Sequence, residues 1–385
     1  MRFRILGRDA GTRARWGEIF LGDGSFETPA FLPIGTRATV KTLTPWDLEE
    51  VGARILLANT YHLYLRPGHE VIRRLGGLHR FMSWRGAILT DSGGFQVWSL
   101  GDLSKILPDG VRFRSHLDGS EHLFTPELAT EVQLALGSDI LMALDLCTPY
   151  PCPRDEAARQ MEWTALWAER SRRTFLAGRV AERAQFGIVQ GGIHRDLRSQ
   201  CAVRLVSIGF DGYALGGLAV GEPVATRWEM VEQGDSDLPA DSVRYLMGVG
   251  QPEDILEGVH RGMDLFDCVL PTRGARHGTV YTLAGRFSVK ARTHAEDSRP
   301  LEAECDCRVC LTVSRAYVRH LFQVGEFLGP RLVSQHNIRT YLRLMEGIRL
   351  ALREGRFAAY RERMLARLRG GSDEQSPRTG REEET

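Results

Sequence analysis

The chain has 385 residues, of which 43% are hydrophobic, so it can bury a large core as one big domain with an appendage or as a few small domains. Its 50 Lys and Arg residues nearly balance 49 Asp and Glu residues, and the formal net charge of +1 means that any site for a polyanion must be local. No stretch approaches the roughly 18 apolar residues needed to span a bilayer, and the start has no apolar signal core, which predicts a cytoplasmic protein without a membrane partner.

Eight short, β-rich apolar runs recur along the chain with turn signals and helical stretches between them. They cover residues 30–34, 55–59, 87–91, 140–145, 186–190, 213–217, 245–248 and 265–270. Helical spacing is clear in residues 158–168, after Pro153, and in residues 255–263. This alternation predicts an α/β fold, a (β/α)8 TIM barrel. A doubly wound sheet is the alternative, but no GxGxxG motif follows the first strand.

Two further segments alternate in a way that is typical of inserted hairpins. Residues 106–125 are expected to turn at Asp118-Gly119, and residues 279–290 at Ala284-Gly285. We therefore expect the barrel to occupy residues 1–290, including both insertions.

Most of the eight runs end in a polar residue or a glycine. In a (β/α)8 barrel the catalytic groups project from the C-terminal ends of the strands, so these residues would meet at one mouth. Random strand ends would rarely supply three aspartates and a glutamine. The residues are Asn59, Asp91, Asp145, Gln190, Gly217, Met247 and Asp267.

The run DLFDCVLPTRGARHG, residues 264–278, contains two aspartates in an apolar setting. A carboxylate there is costly to desolvate, so it is either paired or kept for chemistry. Asp267 is the candidate nucleophile, although a strand-end aspartate can also simply cap a turn. A second aspartate across the pocket, Asp91, could manage the leaving group's proton during displacement at a sugar carbon.

The segment DSGGFQ begins with Asp91 and could hold a planar ring. Gly93 and Gly94 would let the ring lie against the backbone, and Phe95 offers a stacking face, although a plain strand-to-helix turn has the same pattern. Asp145 and Gln190 together suit the edge of a purine. Gly217 could add its backbone amide to these two, or Gly216-Gly217 could merely ease a turn.

Three of the seven cysteines, Cys305, Cys307 and Cys310, fall in the motif ECDCRVC. Together with one histidine they would complete a closed tetrahedral shell, which indicates a structural zinc site. Spacing leaves the fourth ligand open between His336, which follows a candidate helix N-cap at Ser334, and His320.

The residues from Ser314 to Arg369 contain twelve arginines and four glutamates. Leu342, Met345, Ile348 and Leu352 recur at helical spacing, so one face packs while the arginines point outward. This surface is either a solvated face or a phosphate-binding one. We expect residues 291–369 to form a basic, helical, zinc-binding subdomain, and residues 370–385 to be a disordered tail.

Eight ordered motifs, from about Phe31 to beyond His336, resemble those of the tRNA-guanine transglycosylases, also called queuine tRNA-ribosyltransferases. They are LANTYHL (57–63), TDSGGFQV (90–97), ALDLCTPYP (143–151), FGIVQGG (186–192), GGLAVGE (216–222), YLMGVGQPED (245–254), FDCVLPTR (266–273) and the cysteine cluster with its histidine.

The resemblance implies a homodimeric pentosyltransferase that exchanges the wobble guanine of GUN-anticodon tRNAs, those for aspartate, asparagine, histidine and tyrosine, for a 7-deazaguanine base in queuosine biosynthesis. By resemblance Asp267 is the nucleophile that forms a covalent tRNA intermediate, and Asp91 is the general acid/base. The implied ligands of one structural Zn²⁺ per subunit are Cys305, Cys307, Cys310 and His336, in preference to His320.

The resemblance also implies two sets of binding residues. The base would be bound by Ser92, Gly93, Gly94, Phe95, Asp145, Gln190, Gly217, Leu218 and Met247, with Phe95 and Met247 sandwiching the ring. Phe95 replaces a tyrosine found in some members, so a hydroxyl contact is missing. The anticodon loop of the tRNA would be bound by Gly248, Val249, Gly250, Gln251, Pro252, Glu253, Asp254, Thr272, Arg273, Gly274, Ala275 and Arg276.

The segment LAVG, residues 218–221, and Cys147 resemble the bacterial version, which takes the precursor preQ1 in place of queuine. Val220 would fill the space that the larger cyclopentenediol needs, and Glu222 would hold the Leu218–Ala219 peptide in one orientation.

Three other functions are less well supported. A zinc-dependent barrel hydrolase needs an HxH motif, which is absent. An accessory RNA-binding subunit would lack the attacking carboxylate, and a nucleoside hydrolase would need no basic appendage.

Overall fold

In a computed structural model, residues 1–22, 24–98, 104–178 and 182–373 are described. The strands in chain order are β1 (Arg2–Arg8), β2 (Arg15–Leu21), β3 (Gly24–Thr28), β4 (Ala30–Leu32), β5 (Ile34–Gly35), β6 (Ile55–Ala58), β7 (Ala87–Thr90), β8 (Ser104–Leu107), β9 (Gly110–Arg114), β10 (Glu121–Phe124), β11 (Ile140–Met142), β12 (Ala184–Val189), β13 (Gly212–Leu215), β14 (Val243–Leu246), β15 (Leu265–Asp267), β16 (Thr279–Thr282) and β17 (Gly285–Ser288).

The helices surround these strands and follow most of them. They are α1 (Pro45–Glu50), α2 (Thr60–Leu65), α3 (His69–Arg74), α4 (Gly77–Met82), α5 (Gly94–Trp98), α6 (Pro126–Leu136), α7 (Arg154–Ala177), α8 (Arg195–Ile208), α9 (Val224–Asp237), α10 (Pro252–His260), α11 (Leu270–Arg276), α12 (Arg308–Thr312), α13 (Arg315–Gln323), α14 (Leu328–Arg353) and α15 (Phe357–Asp373). The predicted helical stretch 158–168 falls within α7, and the stretch 255–263 overlaps α10, which ends three residues earlier, at His260.

The central sheet is parallel and confirms the predicted (β/α)8 barrel. Its strands follow the order β4-β15-β14-β13-β12-β11-β7-β6-β5. The first and last members, β4 and β5, are two halves of one strand interrupted at Pro33, a residue that has no N–H to donate. The Pro33 carbonyl still accepts a hydrogen bond from Leu57 N (3.0 Å). Eight strands therefore close the barrel, with the first one split.

The strands are shorter than the predicted runs, and the polar residues lie at or just beyond their C-terminal ends. Asp267 is the last residue of β15, and Asp91 and Gln190 directly follow β7 and β12. The interior is filled by apolar side chains such as Met142, Ile188 and Leu265, all fully or almost fully buried. The barrel is therefore a packed core, and its chemistry is confined to one end.

The opposite end of the barrel is covered by an antiparallel sheet of β1, β2 and β3, which the sequence analysis did not predict. Alternate residues of β2 are buried. Ile19, Leu21 and Phe26 from this sheet join the same apolar cluster as the inward-facing barrel residues. The sheet therefore closes the N-terminal end of the barrel.

Both predicted hairpins are present, with differences in detail. β9 and β10 pair around Asp118-Gly119, but β8 adds a third strand to that insertion. β16 and β17 pair from Thr282 to Gly285, so the turn is at Leu283-Ala284, one residue earlier than predicted.

The C-terminal part is helical, and three details depart from the sequence analysis. Ser334 is not an N-cap, because α14 already begins at Leu328, and its buried hydroxyl accepts a hydrogen bond from Thr42 Oγ1 (3.0 Å). Helix α15 continues through Asp373, so the first four residues of the expected tail are helical. The rest of that tail, residues 374–385, lies outside the described residues. The division into residues 1–290 and 291–369 stays a prediction.

None of the helices in the described ranges has both the length and the apolar character that a membrane crossing requires.

Candidate active site

Asp267 lies at the barrel mouth with one carboxylate oxygen held by neutral donors. Its Oδ1 accepts hydrogen bonds from the Tyr245 hydroxyl (2.5 Å) and from the Gly248 amide (2.8 Å), and the side chain is 7% exposed. Burial raises the pKa of Asp267, and the two hydrogen bonds offset only part of that rise. Both of these hydrogen bonds go to Oδ1, so Oδ2 is the oxygen left to act on a ligand.

Tyr245 was not singled out by the sequence analysis. It lies on β14, two residues before Met247, which directly follows that strand, and both side chains belong to one apolar cluster. Residues two apart share one face of a strand, so the predicted role of Met247 was the available signal.

Asp91 is anchored at the start of α2. Its Oδ1 accepts from the amides of Thr60 (2.9 Å) and Gly93 (3.1 Å), and its Oδ2 accepts a short hydrogen bond from the Asn59 side chain. Desolvation raises the pKa of Asp91 to about 7, against the effect of these donors, and the nearby Asp267 raises it further. The residue is therefore a carboxyl group that can give or take a proton near neutral pH.

Asp145 connects two of the predicted base-binding residues. Its Oδ1 accepts from the Ser92 hydroxyl (3.0 Å), and its Oδ2 accepts from Gln190 Nε2 (2.8 Å). Burial raises the pKa of Asp145. Since Ser92 follows β7 while Asp145 and Gln190 follow β11 and β12, three strand ends meet here as predicted.

Glycine is required beside this group at three positions. Gly217 has φ +64°, in the left-handed region, and a β-carbon at Gly216 would lie 2.5 Å from Gln190 Nε2. A β-carbon at Gly94 would lie 2.6 Å from the Asp145 carbonyl oxygen. The glycine motifs therefore let backbone approach the Asp145 and Gln190 side chains.

The other predicted base-binding residues differ in how far their side chains are exposed to solvent. Phe95 is 49% exposed on α5, Met247 is partly buried, and Leu218 is 4% exposed. Gly93 has φ +79° next to Asp91. About half of the Phe95 surface is therefore exposed, whereas Leu218 is buried.

The loop after Gly217 is fixed by Glu222, as predicted. Its carboxylate accepts from the amides of Ala219 (2.6 Å) and Val220 (2.9 Å), and from Arg227 Nε (2.6 Å). The Ala219 amide belongs to the Leu218–Ala219 peptide, so that peptide has one orientation, with Ala219 at φ +60°. Burial raises the pKa of Glu222, but the hydrogen bonds outweigh it, and the pKa lies below its usual value.

The two predicted RNA-binding segments present only some of their side chains. Val249, Gly250, Pro252, Thr272 and Ala275 are buried, so they could touch a ligand through the backbone at most. The more accessible members are Gly248, Gln251, Glu253, Asp254, Arg273, Gly274 and Arg276.

The two arginines of these segments differ in what their guanidinium groups contact. Arg273 is exposed and forms no ion pair within the described ranges. Arg276 donates to the Thr272 carbonyl (3.0 Å), and burial, together with the nearby Arg273, lowers its pKa.

Helix α14 connects both of these segments to the cysteine cluster. Asn337 donates to the carbonyls of Pro271 and Thr279 (2.9 Å each), and Tyr341 donates to the Gly250 carbonyl (2.7 Å). Both side chains are fully buried. These contacts could not be predicted from the sequence, because they join residues far apart in the chain.

The cluster consists of Cys305, Cys307, Cys310 and His336, all buried, with their donor atoms within 4.8 Å of one another. His336 Nδ1 lies 3.7 Å from Cys307 Sγ and 3.3 Å from Cys310 Sγ, close to the about 3.5–3.8 Å expected between ligands of tetrahedral zinc. These four residues could hold a metal ion, and the exposed His320 is not among them.

The tautomer of His336 suits such a role. Its Nε2 lies 2.9 Å from the Tyr281 carbonyl, which can only accept, so Nε2 carries the proton and Nδ1 faces the thiols. A carbonyl that accepts from the other ring nitrogen commonly orients a metal-binding histidine.

Most of the basic run is neutralised within the chain. Nine of its twelve arginines form ion pairs with aspartates or glutamates. Arg331 pairs with Asp47, for example, and Arg343 pairs with Glu302. The predicted apolar face of α14, with Leu342, Met345, Ile348 and Leu352, is buried.

Comparison with known proteins bears directly on this site. The family described as "Queuine tRNA-ribosyltransferase" matches residues 9–370. The chain belongs to this family.

Several curated relatives named queuine tRNA-ribosyltransferase cover almost the whole chain. One from Symbiobacterium thermophilum is 54% identical over 98% of this chain and 94% of its own length. Another, from Thermoanaerobacter pseudethanolicus, is 53% identical over 95% and 97%. A third, from Caldanaerobacter subterraneus subsp. tengcongensis, is 52% identical over 97% and 99%. The family resemblance identified from the motifs is thus confirmed, and it extends over almost the full length of this chain and of these relatives.

Proposed function

We propose that the protein is a tRNA-guanine transglycosylase that replaces the wobble guanine of GUN-anticodon tRNAs with preQ1. One observation carries the proposal: two buried carboxyl groups with raised pKa values, Asp267 and Asp91, lie at the mouth of the barrel. Neither has a cationic side-chain partner in the described part of the chain, which is typical of groups kept for chemistry.

The first half of the reaction is a displacement at the ribose. Asp267 Oδ2 attacks C1′, the bond from C1′ to guanine N9 breaks, and Asp91 gives its proton to the departing base. The product is an ester between Asp267 and the ribose of the tRNA. The Tyr245 hydroxyl and the Gly248 amide hold the nucleophile in position through Oδ1.

The second half repeats the displacement with the incoming base. Asp91, now ionised, takes the N9 proton of preQ1, N9 attacks C1′, and the ester bond breaks to restore the Asp267 carboxylate. Two displacements give net retention at C1′ and ping-pong kinetics, without a redox cofactor.

Base recognition in this proposal uses the Asp145 group. Asp145 accepts from donors on the purine edge, Gln190 and the Gly217 amide add further hydrogen bonds, and Phe95 with Met247 stacks on the ring. The hydrogen bonds that Ser92 and Gln190 donate to the two oxygens of Asp145 support this, because they preorganise the carboxylate. Leu218 and Glu222 would select the aminomethyl substituent of preQ1.

The tRNA would bind through its anticodon loop. An unpaired loop makes extrusion of the target base cheaper than in a duplex. The exposed Arg273 and the nearby Arg276 would contact phosphates around the reacting nucleotide. Phosphate contacts on the basic run would be fewer than its composition suggests, because most of its arginines are already paired. A tRNA substrate also supports the expected cytoplasmic location.

The metal in the proposed enzyme is one structural Zn²⁺ per subunit. Three thiolates and one imidazole fill a tetrahedral shell and leave no open position for chemistry. Its effect on function would pass through α14, which binds the Gly250 carbonyl in one RNA-binding segment and the Pro271 carbonyl directly before the other.

A homodimer also belongs to this proposal. Trp46 and Phe327 are 64% and 88% exposed. Trp46 adjoins Asp47, and Phe327 lies one turn before Arg331, which pairs with Asp47 at 2.9 Å. Two large exposed side chains in one region favour burial by a partner.

The function is tested by incubating the protein with labelled guanine and a GUN-anticodon tRNA. Incorporation of label at the wobble position is expected, and unlabelled preQ1 should displace it. Release of free guanine without incorporation would instead indicate a hydrolase. Loss of incorporation with a tRNA that carries adenine at the wobble position is the matched control.

A further inference from the structure

Arg198 on α8 is a buried guanidinium without an ion pair in the described residues. The side chain is 1% exposed, and its nearest anionic groups, such as Glu222 and Asp237, act only at longer range. Burial lowers the pKa of Arg198 to about 10, so it remains charged at neutral pH. Burying an unpaired cation is costly, so its position requires a reason.

The partners of Arg198 are backbone carbonyls at two strand ends. Its Nη1 donates to the carbonyls of Gly192 and Gly216 (3.1 Å each), and its Nη2 donates to those of Gly216 (3.2 Å) and Val189 (3.4 Å). The two nitrogens form a planar fork, which a lysine ammonium cannot reproduce. One side chain therefore joins β12 to the loop after β13.

These carbonyls flank the groups proposed to read the base. Val189 precedes Gln190, Gly192 lies two residues after it, and Gly216 precedes Gly217. The Gly216 amide also donates to the Val189 carbonyl (3.1 Å), so the two strand ends are joined twice. Because Gly216 lies directly against the Gln190 side chain, a shift of either strand end moves Gln190 relative to Gly217.

We propose that Arg198 is a positioning residue that holds Gln190 and Gly217 in register for the outgoing and incoming bases. The inference rests on the proposed function, since it assigns Gln190 and Gly217 to base recognition. Arg198 touches no substrate itself. It would act on base binding and leave tRNA binding, which uses other segments, unchanged.

The test compares Arg198→Lys and Arg198→Met with Arg204→Met. Arg204 lies on the same helix but is partly exposed and pairs with Glu162, so its variant controls for loss of a cation from α8. The KM for guanine, the KM for tRNA, and the folded fraction are measured for each protein in the exchange reaction.

We expect the KM for guanine to rise about 10- to 100-fold in both Arg198 variants, the size expected when a recognition group shifts by about 1 Å. The KM for tRNA should stay within about twofold, and Arg204→Met should change neither. A purely structural role would lower the folded fraction and leave the KM for guanine of the folded enzyme unchanged.

The proposal is overturned if the KM for guanine is unchanged in folded Arg198→Lys, or if both KM values rise together. It is also overturned if neither Arg198 variant folds, because the guanidinium would then be required by the fold as a whole. Failure of the proposed function is a different result, since wild-type protein would then incorporate no guanine at all.

Discussion

Two aspartates three residues apart, at opposite ends of strand β15, have opposite environments. Asp264 is fully buried and receives two hydrogen bonds from Arg15 (2.9 and 2.6 Å) and one from the Arg244 amide (2.8 Å). Asp267 receives only neutral donors, on one oxygen. At the N-terminal end of the strand the charge of Asp264 is balanced by the Arg15 guanidinium. At the C-terminal end the described residues offer Asp267 only neutral donors.

This difference follows from the architecture of the barrel. The N-terminal end is covered by β1–β3, and Arg15 comes from β2 of that sheet. Asp91 and Asp267 at the C-terminal end have no cationic side-chain partner in the described ranges, and burial raises the pKa of both. Stability is concentrated at one end of the barrel and reactivity at the other.

The largest contrast is expected between Asp267→Asn and Asp264→Asn. Asp267→Asn should lower the exchange rate at least about 10³-fold, as for loss of a nucleophile, with no loss of stability, because the buried charge disappears. Asp264→Asn should cost about 3–5 kcal/mol of unfolding free energy, because it leaves the Arg15 charge buried without its anion. Exchange rates per folded enzyme and urea unfolding measure the two effects, and the reverse pattern would refute the comparison.

The buried cluster of Cys305, Cys307, Cys310 and His336 should depend on a bound metal for its stability, whereas Asp264 depends on an ion pair. Cys307→Ser is expected to lose bound zinc and several kcal/mol of stability, because metal binding contributes to the folding free energy. Metal analysis and thermal unfolding check this, with Cys152→Ser, outside the cluster, as the control. Full zinc content in Cys307→Ser would argue against closed four-ligand coordination.

Asp91 should set a pH limit on the first displacement. Its pKa is raised to about 7, and the protonated form is the acid, so kcat/KM for tRNA should fall as pH rises above about 7. Asp91→Asn should remove this fall of kcat/KM at high pH. If kcat/KM of the variant still falls above that pH, the fall belongs to the titration of another group.

Asp91 should also affect stability, with a definite sign. A folded-state pKa raised above the unfolded value gives stability that is present at low pH and is lost as pH rises through about 7. Asp91→Asn should therefore change the free energy of unfolding more favourably at pH 8 than at pH 4, with a difference of about 2–4 kcal/mol between the two pH values. Urea unfolding at both pH values measures this difference.

The smallest expected effect concerns substrate choice. Val220→Gly should widen the pocket beside the Leu218–Ala219 peptide, which Glu222 holds, and should admit queuine with about 10-fold higher kcat/KM. Competition between queuine and preQ1 measures it. Unchanged exclusion of queuine would show that Val220 does not limit the pocket.

The fold could be predicted to the extent that each strand carried its own local signal. Eight apolar runs ending in polar residues indicated the barrel, and the spacing of Cys305, Cys307 and Cys310 indicated the metal cluster. β1–β3 were missed because their role depends on covering the barrel, which short-range patterning does not reveal. Ser334 was misread as an N-cap because a capping residue type does not by itself define a helix start.

The pairing of charges could not be predicted, because it joins distant segments. Arg331 pairs with Asp47, and Arg349 and Arg353 both pair with Glu27. A run of arginines looked like a phosphate-binding surface, yet most of it fastens the C-terminal helices to the rest of the chain. For the same reason the ion pair of Asp264 with Arg15 could not be predicted, although Asp267 was already the candidate nucleophile from its place at a strand end.

The most direct test is to identify the residue that carries the RNA in the covalent intermediate. The protein is incubated with a GUN-anticodon tRNA and a guanine analogue, denatured, digested and analysed by mass spectrometry. We expect a ribose-linked fragment on the peptide containing Asp267, at Asp267 itself, and none in Asp267→Asn. An adduct on Asp91 or any other residue, or one that survives in Asp267→Asn, would contradict the assignment of Asp267 as the nucleophile.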